Sequence, residues 1–224
     1  NKREQKGDLA QTTEEQYGPC LHEYTVKEAI HDRAVLGFQV EYKTTMPGWD
    51  EDEIEDEFYD DERHMLSVLD SILNKCKRKL GFQNGVGKTY EGLLTVKSIA
   101  RAQAYYDLIQ EVKAGHKSLT IFESVKKVLP DFPKVAITYS VTENDESSFA
   151  NQDYMSKSFD DYNAMFGTHF TLATLGSYNT DLNERLARKK DKYAFREEQL
   201  DLVIVVDRLL TGFDAPCLST IFMD

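Results

Sequence analysis

Three observations predict an α/β fold with a mainly parallel sheet flanked by helices. Short apolar runs from Tyr90 to Val96, Val135 to Tyr139 and Leu202 to Val206 suit strands buried on both faces. Segments with helical spacing of apolar residues separate them, and strands alternating with helices are the mark of parallel crossover units. The composition supplies a core, since 41% of the 224 residues are hydrophobic and 11% aromatic, which excludes wholesale disorder.

In chain order, residues 1–24 are polar, contain Gly18 followed by Pro19, and read as an arm or linker; residues 25–224 read as one domain. Thr25 and Glu28 have the spacing of a capping box, in which hydroxyl and carboxylate each satisfy a free amide, so a short helix is predicted over 25–32. Leu36, Phe38, Val40 and Tyr42 alternate with Gly37, Gln39 and Glu41, the period of a half-buried strand. An acidic insertion occupies 46–63. Met65, Val68, Leu69, Ile72, Leu73, Cys76 and Leu80 then form one apolar helix stripe, which Gly81 stops.

After a turn at Gln83, Asn84 and Gly85 comes the first buried strand. Ser98 is placed to cap the next helix, whose inner face holds Ile99, Ala102, Tyr106, Ile109 and Val112. A shorter helix around 118–129 ends at Pro130, and the strand from Val135 leads into a polar loop over 141–148. A helix over 158–166 stops at Gly167, and a basic helix covers 180–191. Leu202 to Val206 is the most apolar strand, and 218–223 is predicted as another. In such sheets the working loops lie at the carboxyl ends of the strands, here after Val96, Tyr139 and Val206.

The formal charge is −12, which argues against nucleic acid until its distribution is considered. Asp50 to Glu62 holds ten carboxylates in thirteen positions, and removing them from −12 leaves −2. A nearly neutral body can carry a local basic patch, while the acidic run reads as a solvated insertion. The three cysteines, Cys20, Cys76 and Cys217, are too few and too scattered for a disulfide framework or zinc ribbon and are expected to be reduced. No apolar run approaches the ~20 residues of a membrane span, and no signal peptide is visible, so a cytoplasmic chain without membrane contact is expected.

Several patterns imitate chemistry. Residues 81–89 end in Gly-Lys-Thr like a phosphate loop, but the glycine spacing is one residue too long and a strand follows where a helix is required, so the segment reads as a turn. Asp32 with Glu41 and Lys43 loosely matches a nuclease magnesium site; strand-end polar residues are the plainer reading. His22, His31, His64, His116 and His169 lack metal spacing and read as surface or packing residues. Two basic clusters remain, Lys75, Lys77, Arg78 and Lys79 at a helix end, and Arg185, Arg188, Lys189, Lys190 and Lys192 on the basic helix. The second is read as a solvated face, with phosphate contact as the alternative.

The most informative segment runs from Leu200 to Pro216. A buried strand leads into a loop with Thr211, Gly212 and Asp214, which can respectively donate to a phosphate oxygen, admit a ligand close to the backbone, and accept from a sugar hydroxyl. From Val205 to Pro216, followed by Leu218 to Asp224, the sequence resembles helicase motif V of the restriction (motor) subunit of Type I restriction-modification enzymes, members of the superfamily 2 DNA translocases. The stretch from Tyr24 to Ile30, then Val35 to Tyr42, is similar to the same family, and Leu93 to Ile99 with Ala102, Tyr105 and Tyr106 occupies the place of motif IV.

The resemblance implies the second RecA-like helicase lobe, a P-loop NTPase-like fold without the P-loop, of an ATP-driven motor that pulls duplex DNA toward a nuclease domain. By that likeness Lys97, Ser98 and Thr211 contact DNA phosphates, and Gly212 and Asp214 lie beside the nucleotide. Val206 stands where related helicases often place a hydroxyl residue. The sequence has neither a phosphate loop nor a magnesium-binding acidic motif, and no arginine-finger motif follows Asp224. It therefore reads as a piece of a longer parent, with no catalytic residue or metal ligand of its own and no expected activity alone. The parent would use ATP and Mg2+, double-stranded DNA, the first RecA-like lobe and the methylation and specificity subunits. Rival readings are another superfamily 2 motor (Type III restriction or remodelling) and a non-catalytic interaction module that uses the acidic stretch.

Overall fold

A computed structural model describes residues 12–35, 37–45, 56–140, 146–206 and 215–224. The chain forms two compact units, residues 1–44 and 45–224. In the first, helices α1 (Thr13–Tyr17) and α2 (Val26–His31) both open with capping boxes. Thr25 N donates to Glu28 Oε2 at 2.7 Å while Glu28 N donates to Thr25 Oγ1 at 3.3 Å; Thr12 and Glu15 repeat the exchange for α1. The strand expected from the alternation at 36–42 is not formed among the described residues 37–45. Phe38, Val40 and Tyr42 are exposed, because period two makes a strand only where a neighbouring strand supplies hydrogen bonds and a face to cover.

The second unit is built on strands β1 (Glu91–Thr95), β2 (Val135–Thr138), β3 (Leu202–Val205) and β4 (Leu218–Met223). They form one sheet in the order β2-β3-β1-β4, every pair parallel, with helices flanking it. This is the α/β architecture predicted, and it is consistent with a RecA-like lobe. Ala136, Val203, Leu93 and Ile221 stand in one row across the sheet. The central strands are apolar on both faces; Leu93, Leu94, Val203 and Ile204 are wholly buried, each contributing roughly 1.5–3 kcal/mol. A Cβ at Gly92 would stand 3.0 Å from the Phe222 ring and 3.3 Å from Leu202 Cδ1, so glycine is what lets both neighbours close on β1.

The helices follow from local chemistry. Asp61 accepts from Arg63 N at 2.7 Å to start α3 (Glu62–Asp70), and a π-helical turn over Ser71–Lys75 carries the stripe onward, burying Met65, Leu69, Ile72, Leu73, Cys76 and Leu80. Gly81 ends it at φ 67°, where a Cβ would lie 2.7 Å from the Tyr90 ring. The Gly-Lys-Thr segment is a turn as predicted, closed by Tyr90 N donating to Leu80 O at 2.8 Å, and it delivers the chain into β1. Helix α4 (Ile99–Ala114) buries Ala102, Tyr105, Tyr106, Ile109 and Val112.

Three helices differ from expectation in their bounds. The one predicted over 118–129 shrinks to α5 (Glu123–Lys126), because buried Asn74 holds the preceding backbone in a non-helical path: its Nδ2 donates to Thr120 O at 3.0 Å and its Oδ1 accepts from Phe122 N at 2.8 Å. Helix α6 (Glu146–Phe166) begins well before Ser158 and includes part of the expected polar loop; residues 141–145 of that loop lie outside the described residues. Its inner row Met155, Phe159 and Tyr162 is buried at helical spacing. Helix α7 (Leu175–Ala187) both begins and ends earlier than the predicted 180–191, stopping at Arg188 in the left-handed conformation with φ 46°. Among the described residues no helix is long and apolar enough to cross a membrane.

Candidate functional site at the carboxyl edge of the sheet

Parallel pairing brings Thr95, Thr138, Val205 and Met223 to one edge, where the loops expected to work are gathered. The loop after β1 is short. Val96 N donates to Val205 O at 3.1 Å, which fixes it against β3, and the exposed Lys97 and Ser98 follow. Ser98 is extended (φ −141°, ψ 157°) and accepts from Arg101 N at 3.2 Å, the N-cap predicted for α4. Because its oxygen serves as acceptor, its own O–H is left to donate outward. The first amides of a 16-residue helix, a lysine and a hydroxyl thus share this edge, a grouping suited to a phosphate.

Thr211, Gly212 and Asp214 lie outside the described residues, so among the five sequence-predicted site residues the structure places Lys97 and Ser98 together and describes no others. Val206, half-buried, is the last described residue before that loop. At the end of β2, Tyr139 turns inward: its hydroxyl donates to Asn151 O at 2.9 Å and accepts from Gln103 Nε2 at 2.9 Å, and burial pushes its pKa up.

Between β1 and β4 the floor of this edge is a network that sequence reasoning missed. Asp224 N donates to Thr95 O, and the Asp224 carboxylate meets His64 Nε2 at 2.6 Å through Oδ1 and accepts from Tyr105 OH at 2.8 Å through Oδ2. His64 Nδ1 lies 2.8 Å from Thr45 Oγ1. With Nε2–H donating to Asp224, Nδ1 is left to accept from the threonine, so every group is used. Burial, then the neighbouring Asp224 charge, pushes the Tyr105 phenol far up. His64 is therefore neither a surface residue nor an isolated packing one; its partner is 160 positions away, beyond any local pattern. Beside it Arg101, also buried, donates to Asp60 Oδ1 at 2.8 Å and lies 5.4 Å from the centre of the Tyr59 ring.

The acidic insertion was read as a solvated loop, yet its described carboxyl-terminal part does structural work. Asp60 holds Arg101, Asp61 caps α3, and Glu62 pairs with Lys117 at 2.8 Å. The basic helix also requires correction. Arg185 is buried rather than solvated, with Nε on Asp181 at 2.8 Å, Nη1 on Glu198 at 2.7 Å and its guanidinium 3.7 Å from the Phe166 ring centre. Arg188 is partly buried, and its side chain, 7% exposed, pairs with Glu91 at 2.5 Å. Neither guanidinium belongs to a solvated helix face, because carboxylates on other elements, Glu198 and Glu91, draw both inward. Among the described residues no group of three or more His, Cys, Asp or Glu is placed to hold a metal ion.

Residues 88–224 match the family model described as Type I restriction enzyme subunit R domain 3. The chain is 26% identical over 226 residues to the Type I restriction enzyme SauCOLORF180P endonuclease subunit of Staphylococcus aureus (strain COL), covering 95% of this chain and 22% of that protein. It is 27% identical over 231 residues to the SsaAORF53P endonuclease subunit of Staphylococcus saprophyticus, covering 99% of this chain and 23% of that protein. The chain thus spans about a fifth of the length of the curated relatives it matches.

Proposed function

The chain belongs to the family of Type I restriction enzyme subunit R domain 3, and on that premise we propose that it is the second RecA-like lobe of the motor subunit of such an enzyme. In the parent this lobe serves ATP-dependent translocation of double-stranded DNA coupled to endonucleolytic cleavage. It works with the first RecA-like lobe and with the methylation and specificity subunits, in the cytoplasm. Lys97 and Ser98 contact a DNA phosphate, joined by Thr211, while Gly212 and Asp214 approach the nucleotide. ATP and magnesium would be used by the parent.

The observation that carries this reading is the placement of Lys97 and Ser98 together on the carboxyl edge at the amino end of α4, where charge, hydroxyl and helix amides converge. The test is made in the full-length parent. Lys97→Ala should slow translocation and weaken duplex binding, and should lower the salt dependence of binding by about one phosphate contact. Unchanged translocation and an unchanged salt slope would remove Lys97 from the DNA path. The isolated chain should show no ATP turnover above a Thr211→Ala, Asp214→Ala control.

A further inference from the structure

The opposite, amino edge of the sheet holds a cavity of about 280 Å³. Its walls come from the segment entering β1 (Gly87, Lys88, Thr89), the segment leaving α7 (Lys189, Lys190) and Gln199 ahead of β3. Three unfavourable features gather there. Arg188, the residue that closes α7, is in the left-handed region at φ 46°, a conformation that residues with a Cβ seldom keep. Its guanidinium reaches under the sheet, with Nε on Glu91 Oε1 at 2.5 Å and Nη1 on Thr89 O at 2.6 Å. Glu91 is fully buried, and burial, opposed by Arg188, pushes its carboxyl up to about 8.

The third feature points to a ligand. Thr89 Oγ1 and Gln199 Oε1, both on residues lining the cavity, are buried without a hydrogen-bond partner, and so is Glu91 Oε2 behind them. These are three of the four such side-chain atoms among the described residues; the fourth, Gln110 Nε2, is on α4. Buried polar groups are ordinarily satisfied, and the carboxyl-edge network satisfies all of its own, so this concentration marks a place where the missing partners come from outside the chain. Ordered water would satisfy the neutral atoms but would not explain the rim. Lys88, Lys189 and Lys190 line the opening and Asp191 is its single carboxylate; Lys189 and Lys190 also have partners within the chain, Lys190 on Glu184 at 2.6 Å.

We propose that this amino-edge cavity binds the phosphate of a nucleoside 5′-phosphate, either free or as the end of a DNA strand. Lys88 and Lys189 supply the charge, Thr89 donates its hydroxyl to a phosphate oxygen, and Gln199 Oε1 accepts from a hydroxyl or amino group on the organic part. The Gly-Lys-Thr tripeptide, which is not a phosphate loop, here presents its lysine and threonine side chains to an anion without a helix behind them. The site lies on the edge opposite Lys97 and Ser98, and its test is independent of the motor role.

The experiment is calorimetric titration of the full 224-residue chain with adenosine 5′-monophosphate, adenosine and inorganic phosphate, repeated on Thr89→Val and on the surface double variant Lys88→Ala, Lys189→Ala. The monophosphate should bind, adenosine should bind roughly tenfold or more weakly, and each variant should lose roughly tenfold or more. Thr89→Val should melt no lower than the parent chain, since it deletes an unpartnered buried hydroxyl without changing volume. The double variant keeps the test open should Thr89→Val fail to fold. No detectable binding of the monophosphate, equal binding of adenosine, or undiminished binding by the folded variants would overturn the proposal. Competition by a 5′-phosphorylated oligonucleotide, absent with its unphosphorylated form, would support the site and assign the phosphate to a strand end. Binding of the monophosphate without such competition would support it and assign a free nucleotide.

Discussion

The two edges of the sheet solve the same problem differently. Each buries a carboxylate against β1, Asp224 at one end and Glu91 at the other, and each carboxylate meets a nitrogenous side chain at close range. At the carboxyl edge both oxygens of Asp224, both ring nitrogens of His64 and the Tyr105 hydroxyl have partners. At the amino edge Glu91 Oε2 is unpaired, with Thr89 Oγ1 and Gln199 Oε1 unpaired nearby. Interior hydrogen bonds are strong when complete and costly when not, so the first arrangement fixes a floor and the second retains an unmet demand. The conspicuous buried His-Asp pair is thereby structural, and the less conspicuous Glu-Arg pair lies beside a cavity that can accept a ligand.

The contrast is tested most severely at Arg188. Arg188→Met takes the guanidinium donors from two buried acceptors, Glu91 Oε1 and Thr89 O, and should cost about 3–5 kcal/mol in urea unfolding, although methionine relieves none of the left-handed backbone. A loss below about 1 kcal/mol would mean that Glu91 is readily held neutral and the amino edge needs no counter-charge. Asp224→Ala should cost less, about 1–3 kcal/mol, because it orphans the donors on His64 and Tyr105 but deletes the buried carboxylate along with its bonds. If this variant proved the more damaging of the two, the ranking of the edges would be reversed.

What the sequence disclosed follows the range of the interactions. The four strands, the α3 stripe, the Thr25 capping box and the Ser98 cap were legible because period, hydroxyl and carboxylate lie within a few residues of one another. The α5 start was not, because it depends on Asn74 reaching across to Thr120 and Phe122. Nor was the fate of the basic helix: Arg188 finds Glu91 97 positions away, and Arg185 is taken up by Glu198 and the ring of Phe166. The alternation at 36–42 misled for the converse reason, since a strand period is local but the partner that makes it a strand is not. Of the candidate site, the sequence indicated the edge that Lys97 and Ser98 share and the cap; the His64–Asp224 floor joins two residues that no short-range pattern relates.

The smallest effect separates two roles on one atom. Ser98 Oγ caps α4 by accepting from Arg101 N, and its O–H is the proposed donor to a DNA phosphate. Alanine removes both functions, whereas glycine removes the hydroxyl but remains a tolerable N-cap. Ser98→Ala should therefore lower the stability of the chain by about 1 kcal/mol and Ser98→Gly by only a few tenths. In the full-length parent, translocation should fall equally in the two variants if the hydroxyl touches DNA, because both lack the donor. If translocation instead followed stability, with glycine nearly normal and alanine impaired, Ser98 would be a cap alone, and the phosphate contact on this edge would rest on Lys97 and the helix amides.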